Sequence, residues 1–278
     1  MQNDRLIALD MDGVVVDGMK YHLRAWQMVI KQHLDREVSD QRINITEGYK
    51  GEQVIAELSQ EWGLELTPVQ QQRIFERKKE VFERIFRIEA VPGAQAMVAG
   101  LAALGYPLAL VTGTERGVAE NVLVTLGVRK FFSILVSGED TDLGKPHPQP
   151  YLKAAASLGI PPERCLVIEN APAGIAAARA AKMACLAVET SLDASFLAEA
   201  TQVVKNVSQA LAVVQAEHDL SGGVGEWLLP LRLPVGIPEY LAPIPAVIPG
   251  QLLALALARV KGIDPDRPRG LSKVTLTR

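Results

Sequence analysis

Short, almost entirely apolar runs recur along the chain and predict buried strands. The first is R-L-I-A-L-D at 5–10, and similar runs follow at 107–112, 133–137, 165–169 and 184–189. Runs of this length without an alternating polar face are typical of strands that are covered on both sides, as in a parallel sheet. We therefore expect these five segments to share one buried parallel sheet.

Helical patterns separate the later runs. Residues 94–104, 115–126, 151–158 and 173–183 have helical composition. Gly105, Gly127 and Gly159 follow the first three as helix ends, and Pro172 suits the first turn of the fourth. Strands that alternate with helices predict a doubly wound α/β fold around a parallel, Rossmann-like sheet.

Residues 18–90 break this alternation, because their apolar positions recur at spacings of three and four that predict helices only. Thr67 and Gln70 have the spacing of a capping box at one helix start. We predict an inserted all-helical cap at 18–90. It would act as a lid over an α/β core formed by 1–17 and 91–218.

The sequence changes character again after Glu217. Residues 221–225, S-G-G-V-G, predict a flexible linker. Beyond them lie a Pro-rich stretch, an apolar helix candidate at 251–260 and a basic end. We therefore assign 219–278 to a linker and a C-terminal extension outside the α/β core.

Composition and charge narrow the class of protein. The 278 residues are 48% hydrophobic and 22% charged, which is ordinary for a globular protein and excludes a disordered chain or a collagen-like fibre. A net charge of −3 offers no positive field for nucleic acid or anionic lipid. Two cysteines, Cys165 and Cys185, are too few for a disulfide framework, so we expect reduced thiols in a cytosolic protein.

No segment has the pattern of a signal peptide or a membrane span. Asp10 and Asp12 interrupt the first apolar run, and Pro and Gly residues interrupt the two long uncharged stretches at 90–114 and 241–258. These features predict a cytoplasmic protein without membrane contact.

Two carboxylates, Asp10 and Asp12, follow the first predicted strand. Open α/β sheets bind their ligands at the carboxyl ends of strands. A turn beginning here could place one carboxylate to attack an electrophile and the other to move protons. A pair of solvated loop acids is the less favoured alternative, because this pair ends a hydrophobic strand and precedes Gly13.

Further polar groups follow later strands or lie in a nearby loop. Thr112-Gly113-Thr114 offers a hydroxyl and backbone N–H groups for phosphate oxygens, and Thr114 could cap the following helix, alone or in addition. Lys145, in a loop stiffened by prolines, could neutralise phosphate charge or be a surface lysine. Glu169 and Asn170 supply hard oxygen atoms suited to Mg²⁺.

Together these motifs resemble the haloacid dehalogenase (HAD) superfamily of phosphotransferases, in its β-phosphoglucomutase-like branch with a helical cap. Four motifs occur in order within residues 1 to about 215: Asp10-Met11-Asp12-Gly13-Val14, Thr112, Lys145 and Glu169-Asn170. The resemblance implies a Rossmann-like core, phosphoryl transfer through an aspartyl-phosphate, and Mg²⁺ as cofactor.

The resemblance also implies a role for each catalytic residue. Asp10 would be the nucleophile, and Asp12 would protonate the leaving oxygen and then deprotonate the attacking water. Thr112 and the N–H of Gly113 would bind the phosphoryl group, and Lys145 would orient it.

By the same resemblance, Mg²⁺ would be held at Asp10, the backbone carbonyl of Asp12, Glu169 and Asn170. The fourth motif departs from the usual Glu-Asp or Asp-Asp, because Asn170 stands in the second place. An amide offers an oxygen ligand with one negative charge fewer. We therefore predict weak Mg²⁺ binding that Asn170→Asp would tighten.

The cap also resembles this branch. His22, in Y-H-L-R-A-W, would lie near the entrance, and Glu47-Gly48, with Lys50 nearby, resembles the loop that meets the substrate. His22, Gly48 and Lys50 are therefore candidate substrate-binding residues, although His22 could equally be a surface or hinge residue. We expect Arg77-Lys78-Lys79 to lie on a solvated helix face.

Residues 231–278 resemble the last segment of sugar isomerase (SIS) domains. A piece of this length can hardly bury a core of its own. A structural remnant packed on the main domain is the favoured interpretation. The alternatives are exchange with another copy of this chain, which would give a homo-oligomer, and docking on a sugar isomerase partner.

These features predict a Mg²⁺-dependent phosphatase that hydrolyses a small phosphorylated metabolite, in particular a sugar phosphate, with no nucleic-acid partner. A phosphosugar mutase is the alternative, because both reactions pass through the same aspartyl-phosphate. A third possibility is a regulatory or binding protein that recruits a sugar-phosphate isomerase through its tail, with catalysis weakened by Asn170.

Overall fold

The computed structural model describes residues 4–49 and 51–227. The strands are β1 (Leu6–Leu9), β2 (Leu108–Val111), β3 (Phe132–Val136), β4 (Cys165–Glu169), β5 (Ala184–Val188) and β6 (Gln202–Val204). The helices are α1 (Met19–Leu34), α2 (Asp40–Asn44), α3 (Gly51–Glu61), α4 (Pro68–Ile85), α5 (Ala94–Ala103), α6 (Arg116–Thr125), α7 (Gln149–Leu158), α8 (Pro172–Ala180) and α9 (Val207–Ser221).

The six strands of the described residues form one parallel sheet in the order β3-β2-β1-β4-β5-β6. The chain moves outward from β1 to β3, then returns to place β4 on the other side of β1. This reversal leaves a crevice at the carboxyl ends of β1 and β4. The predicted doubly wound, Rossmann-like fold is confirmed. The sequence does not predict β6, whose three residues are too few to form a recognisable apolar run.

Alternate residues of each strand face two different hydrophobic layers. In β1, Ile7 and Leu9 pack in the layer that contains α5, α6 and α9, whereas Leu6 and Ala8 pack in the layer of α7 and α8. All four side chains are fully buried. Burial on both sides explains why the strands read as continuous apolar runs. The thiols at 165 and 185 are buried in the second layer.

Helices α1–α4, which we call the cap, have a hydrophobic cluster of their own. Trp26 of α1 belongs to it together with Ile55 of α3 and Ile74 of α4. The predicted capping box forms at the start of α4. The N–H of Gln70 donates to Thr67 Oγ1 at 3.3 Å, and the N–H of Thr67 donates to Gln70 Oε1 at 2.8 Å.

Two chain segments carry the cap, and they leave the core side by side. Val16 forms an antiparallel bridge with Ala90, and the N–H of Asp17 donates to the carbonyl of Glu89 at 2.8 Å. Lys20 forms ion pairs with both Asp17 and Glu89. The entry and the exit of the cap are therefore hydrogen-bonded to each other.

Helix α9 continues into the expected linker, and the residues after it pack on the core. The fully buried guanidinium of Arg5 donates to the carbonyl of Gly225 at 2.8 Å and to Glu217 Oε2 at 2.6 Å. Trp227 is 9% exposed and belongs to the α5–α9 layer. Two residues of the predicted linker, Val224 and Gly225, thus contact the core, because their backbone oxygens accept hydrogen bonds from a buried cation.

Several predictions concern residues outside the described part of the chain. These are Lys50 as a substrate contact, the uncharged stretch at 241–258, and the SIS-like tail at 231–278. The uncharged stretch at 90–114 forms α5, a turn and β2. Among the described residues, no helix has both the length and the apolar character needed to cross a bilayer.

Candidate active site

The carboxyl ends of three central strands bring the predicted catalytic residues to one edge of the sheet. Asp10 follows β1, Thr112 follows β2, and Glu169 ends β4. The N–H of Asp10 donates to the carbonyl of Ile168 on β4 at 3.0 Å, which fixes Asp10 beside Glu169. These three residues are 7%, 5% and 1% exposed, so the site is built from buried polar groups.

Lys145 joins all three of these strand ends. Its Nζ donates to Asp10 Oδ1 at 2.5 Å, to Glu169 Oε1 at 2.7 Å and to the carbonyl of Val111 at 3.2 Å. Three acceptors match the three hydrogens of an ammonium group. The side chain is almost fully buried, so the alternative of a surface lysine is wrong.

Burial and neighbouring charges shift the pKa values of this pair. Burial raises the pKa of Asp10 to about 7, and Glu169 adds to the rise while Lys145 opposes it. Burial also works against the charge on Lys145. The carboxylates of Asp10 and Glu169 outweigh that effect and raise the pKa of Lys145 above its ordinary value. Lys145 is therefore a fixed cation between two acidic side chains.

Both oxygens of Glu169 are engaged. The Tyr151 hydroxyl donates to Oε1 at 2.8 Å, in addition to the lysine, and the N–H groups of Asn170 and Ala171 donate to Oε2 at 2.9 and 3.2 Å. A Cβ at Gly174 would collide with the Glu169 carboxylate, so glycine allows α8 to begin against it. Tyr151 is a supporting residue that the sequence analysis does not identify.

Gly13 and Asn170 fit against each other in the turn after β1. Gly13 has a φ of 82°, and a Cβ there would collide with the amide nitrogen of Asn170. Asn170 is fully buried, and its Nδ2 donates to Glu47 Oε2 at 2.8 Å and to Ser191 Oγ at 3.0 Å. Glu47 belongs to the cap region, so this contact joins cap and core.

Thr112, Gly113 and Thr114 form the turn at the end of β2. The N–H of Thr114 donates to Thr112 Oγ1 at 3.1 Å. Helix α6 begins after Glu115, and the N–H of Arg116 donates to Glu139 Oε2 at 2.9 Å, so the expected helix cap by Thr114 is wrong. The turn presents a hydroxyl and backbone N–H groups at the same sheet edge as Asp10.

A cavity of about 640 Å³ lies between these strand ends and the cap. Its core side includes Asp10, Asp12, Thr112, Gly113, Thr114 and Lys145. Its cap side includes the predicted substrate contacts His22 and Gly48, with Trp26, Phe75 and Phe82. Small-molecule sites commonly have volumes of about 300–1,000 Å³. The structure therefore brings the described members of the predicted catalytic and substrate-binding sets to one cavity.

Asp12 reaches the cap through a chain of polar contacts. Asp12 Oδ1 lies 3.5 Å from His22 Nε2, and His22 Nδ1 lies 2.7 Å from Lys78 Nζ. Lys78 is 7% exposed, and its Nζ lies 5.5 and 5.0 Å from the ring centroids of Trp26 and Phe82. His22 is thus a cavity residue that faces the second aspartate.

Lys78 contradicts the prediction of a solvated helix face at 77–79. Ile74 and Val81, four residues before and three after it, are buried on the same stripe of α4. That spacing is the sequence signal that could have placed Lys78 inside. Burial lowers the pKa of Lys78 to about 8, and burial together with the Lys78 charge lowers the pKa of His22.

Some buried oxygen atoms of the site lack hydrogen-bond partners and are therefore available to a cation. Within the described residues, Glu47 Oε1 and Asn170 Oδ1 are two such atoms. Over the same residues, no three His, Cys, Asp or Glu side chains form a metal cage by themselves. Mg²⁺ commonly uses one or two carboxylates and keeps several waters, so this donor set fits it.

Comparison with known proteins identifies the family. Residues 5–182 match a family model described as haloacid dehalogenase-like hydrolase. The chloroplastic 5-amino-6-(5-phospho-D-ribitylamino)uracil phosphatase of Arabidopsis thaliana is 36% identical over 167 residues, which are 59% of this chain and 43% of that protein. Fructose-1-phosphate phosphatase YqaB of Escherichia coli (strain K12) is 31% identical over 180 residues, 64% of this chain and 92% of that protein. The chain thus spans less than half of the first relative and most of the second.

A solved structure agrees with the fold. The β-phosphoglucomutase of Clostridium difficile has a TM-score of 0.67 and 22% identity, covering 79% of this chain and 98% of that chain. The family model covers more than half of this chain and includes the segments that carry all four motifs. This chain belongs to the haloacid dehalogenase-like hydrolase family.

Proposed function

We propose that this protein is a phosphatase that hydrolyses a small phosphorylated metabolite, in particular a sugar phosphate. The observation that carries the proposal is the contact of Asp10 with a fixed cation, Lys145, on the core side of a cavity of about 640 Å³. Lys145 holds one oxygen of Asp10 and offsets the charge that phosphate brings. The two relatives compared above are both named as phosphatases.

The reaction has two steps. Asp10 attacks the phosphorus of a phosphate monoester, the P–O bond to the alcohol breaks, and Asp12 donates a proton to the departing oxygen. Asp12 then removes a proton from water, whose oxygen attacks the phosphorus of the aspartyl-phosphate. Inorganic phosphate leaves and the Asp10 carboxylate is restored.

The turn after β2 binds the phosphoryl group. Thr112 Oγ1 already accepts the N–H of Thr114, so the hydroxyl hydrogen of Thr112 is available to a phosphate oxygen. The N–H of Gly113 adds a second donor. These donors hold the phosphorus in line with the attacking oxygen of Asp10.

Asp10, Asp12, Glu169 and Asn170 are the residues that would hold Mg²⁺. When bound, the ion offsets negative charge on the phosphoryl group. The orphaned Oδ1 of Asn170 supports this assignment, because it lies buried without a hydrogen bond from the described residues.

The cap side of the cavity favours a sugar. Phe75 and Phe82 line it with half-buried aromatic side chains that can contact the C–H groups of a sugar, while Glu52 and Lys79 provide polar groups for its hydroxyls. The E. coli relative is named for a sugar phosphate. The cap also covers the cavity, which limits the access of bulk water to the aspartyl-phosphate.

The test is release of inorganic phosphate from hexose 1-phosphates, hexose 6-phosphates, fructose 1-phosphate and phosphoglycolate, each with and without Mg²⁺. We expect turnover of sugar phosphates that depends on Mg²⁺. Asp10→Asn should lower it by more than about 10⁴-fold, because the nucleophile is lost. Asp35→Asn makes the same change at a cap residue that is 90% exposed and should have no effect. Turnover that survives Asp10→Asn would refute the proposal.

The same panel separates hydrolysis from the mutase alternative. Conversion of a hexose 1-phosphate to the 6-phosphate without free phosphate would show a mutase instead. The recruiting role of residues 231–278 stays a prediction, and a chain ending at Trp227 that still bound an isomerase partner would contradict it.

A further inference from the structure

Glu47 carries a carboxylate from the cap region into the polar centre of the core. It lies between α2 and α3, and its Oε2 accepts the Nδ2 hydrogen bond of Asn170 at 2.8 Å. Asn170 directly follows β4 and is fully buried. A cap side chain therefore contacts the residue at which the fourth motif departs from its usual form.

This contact fixes the orientation of the Asn170 amide. Both hydrogens of Nδ2 are engaged, one by Glu47 and the other by Ser191 Oγ at 3.0 Å. The amide oxygen Oδ1 therefore points away from both partners, and it is buried without a hydrogen bond in the described part of the chain. A flipped amide would set its oxygen against the carboxylate, so Glu47 selects the orientation that offers Oδ1 as a ligand.

Glu47 also brings charge to the site. Its second oxygen, Oε1, is buried without a hydrogen bond from any described residue. A carboxylate in this position is unfavourable unless a cation shares the space.

We propose that Glu47, from the cap region, supplies the negative charge that Asn170 lacks in the second place of the fourth motif. Glu47 and Asn170 complete the divalent-cation site only when the cap lies on the core. The inference rests on the proposed function, because that function supplies the reason for a cation. Glu47 acts as a positioning residue for Asn170 and as a nearby countercharge for the ion.

Two consequences follow from the pairing. Because cation binding is linked to the cap contact, the cation must also favour the closed cap by the same free energy. An aspartate at position 170 would set two carboxylates against each other. The tightening expected from Asn170→Asp should therefore appear in full only when position 47 is neutral.

The first experiment measures the dissociation constant of Mn²⁺ by electron paramagnetic resonance on the full chain, with Mg²⁺ as competitor. Glu47→Gln should weaken binding about tenfold, within the range for groups that support metal ligands. Glu65→Gln makes the same change at an exposed cap loop residue and should bind as the unmodified protein does. In the Asn170→Asp background, Glu47→Gln should cost no more than about twofold, because the carboxylate introduced at position 170 then supplies the charge.

Unchanged binding by Glu47→Gln, or an equal loss in both backgrounds, would overturn the proposal and leave the phosphatase function intact. Asp10→Asn distinguishes failure of the function itself. If Mn²⁺ bound to Asp10→Asn as tightly as to the unmodified protein, the cation would lie elsewhere. The proposed function and the proposed role of Glu47 would then both be wrong about this cation site.

A second measurement needs no substitution and covers the case in which Glu47→Gln does not fold. Hydrogen exchange of the backbone at 45–49 in the unmodified protein should slow at least several-fold when Mn²⁺ is added, because the ion holds the loop on the core. Exchange at 205–215, in and just before α9 and remote from the cap, should not change. Equal exchange at 45–49 with and without Mn²⁺ would contradict the linkage.

Discussion

Two buried lysines line the same cavity from opposite sides, and their surroundings give them opposite properties. Lys145, from the core, contacts two carboxylates, and the pKa of its ammonium is raised despite burial. Lys78, from the cap, contacts an imidazole and aromatic rings, and burial lowers its pKa to about 8. The degree of burial is similar, at 4% and 7% exposure. The partner, and not the depth, decides whether a buried lysine keeps its charge.

The core side and the cap side of the cavity therefore have different tasks. The core holds its charges in fixed positions through hydrogen bonds between neighbouring strand ends. The cap contributes rings, an imidazole and a lysine whose charge is weakly held. A preorganised core suits phosphoryl transfer, which needs electrostatic stabilisation, whereas the cap provides the mixed apolar and polar lining that is typical of small-molecule sites.

The largest effect should come from the core lysine. Lys145→Met leaves Asp10 and Glu169 facing each other without a cation, so we expect a loss of about 3–5 kcal/mol in unfolding free energy. Turnover should fall by about 10²–10³-fold, because the proposed function needs this charge to orient the phosphoryl group. Urea unfolding and phosphate release measure the two effects. Lys153→Met, at an exposed position of α7, is the control. If Lys145→Met lowered the unfolding free energy by less than about 1 kcal/mol, the contrast between the two buried lysines would be wrong.

The cap lysine should show its effect as a pH dependence. The unfolded chain keeps a proton on Lys78 up to a pH of about 10.5, whereas the folded protein loses it above about 8. Between these values unfolding takes up a proton, so the stability of the unmodified protein should rise with pH relative to Lys78→Met. The full rise corresponds to about 3 kcal/mol. Urea unfolding of both proteins at pH 8, 9 and 10 measures it, and a constant difference would show that Lys78 is not desolvated.

A smaller effect should come from the neutral partner on the core side. Tyr151→Phe removes the hydroxyl that donates to Glu169 Oε1, so that oxygen keeps only the bond from Lys145. We expect the free energy of unfolding to fall by about 2 kcal/mol, which is typical of a buried hydrogen bond to a charged group. Thermal unfolding measures this change. An unchanged free energy of unfolding would mean that the lysine alone satisfies the carboxylate.

The sequence predicts the core half of the site well, because its signals are local. Each apolar run predicts a strand, and the polar residues directly after it indicate the end of that strand. Parallel pairing then brings Asp10, Thr112 and Glu169 together without further information. Five strands and the inserted helices follow from the same reasoning.

The cap half and the C-terminal packing depend on contacts that no local pattern encodes. Glu47 and Asn170 are 123 residues apart, and Arg5 and Glu217 are 212 apart. Lys78 is different, because its spacing from Ile74 and Val81 in the sequence places it on the buried stripe of α4. The rule that charged residues face solvent fails at this position, because aromatic rings and an imidazole surround the charge.

The backbone pairing of Val16 with Ala90 affects how proteins of this fold can change during evolution. Because the entry and the exit of the cap lie next to each other, the cap interrupts the chain of the core at a single point. An inserted segment with adjacent ends can be replaced by another of different size. The residues for phosphoryl chemistry can therefore be retained with the strands, while the residues that choose the substrate are exchanged with the cap.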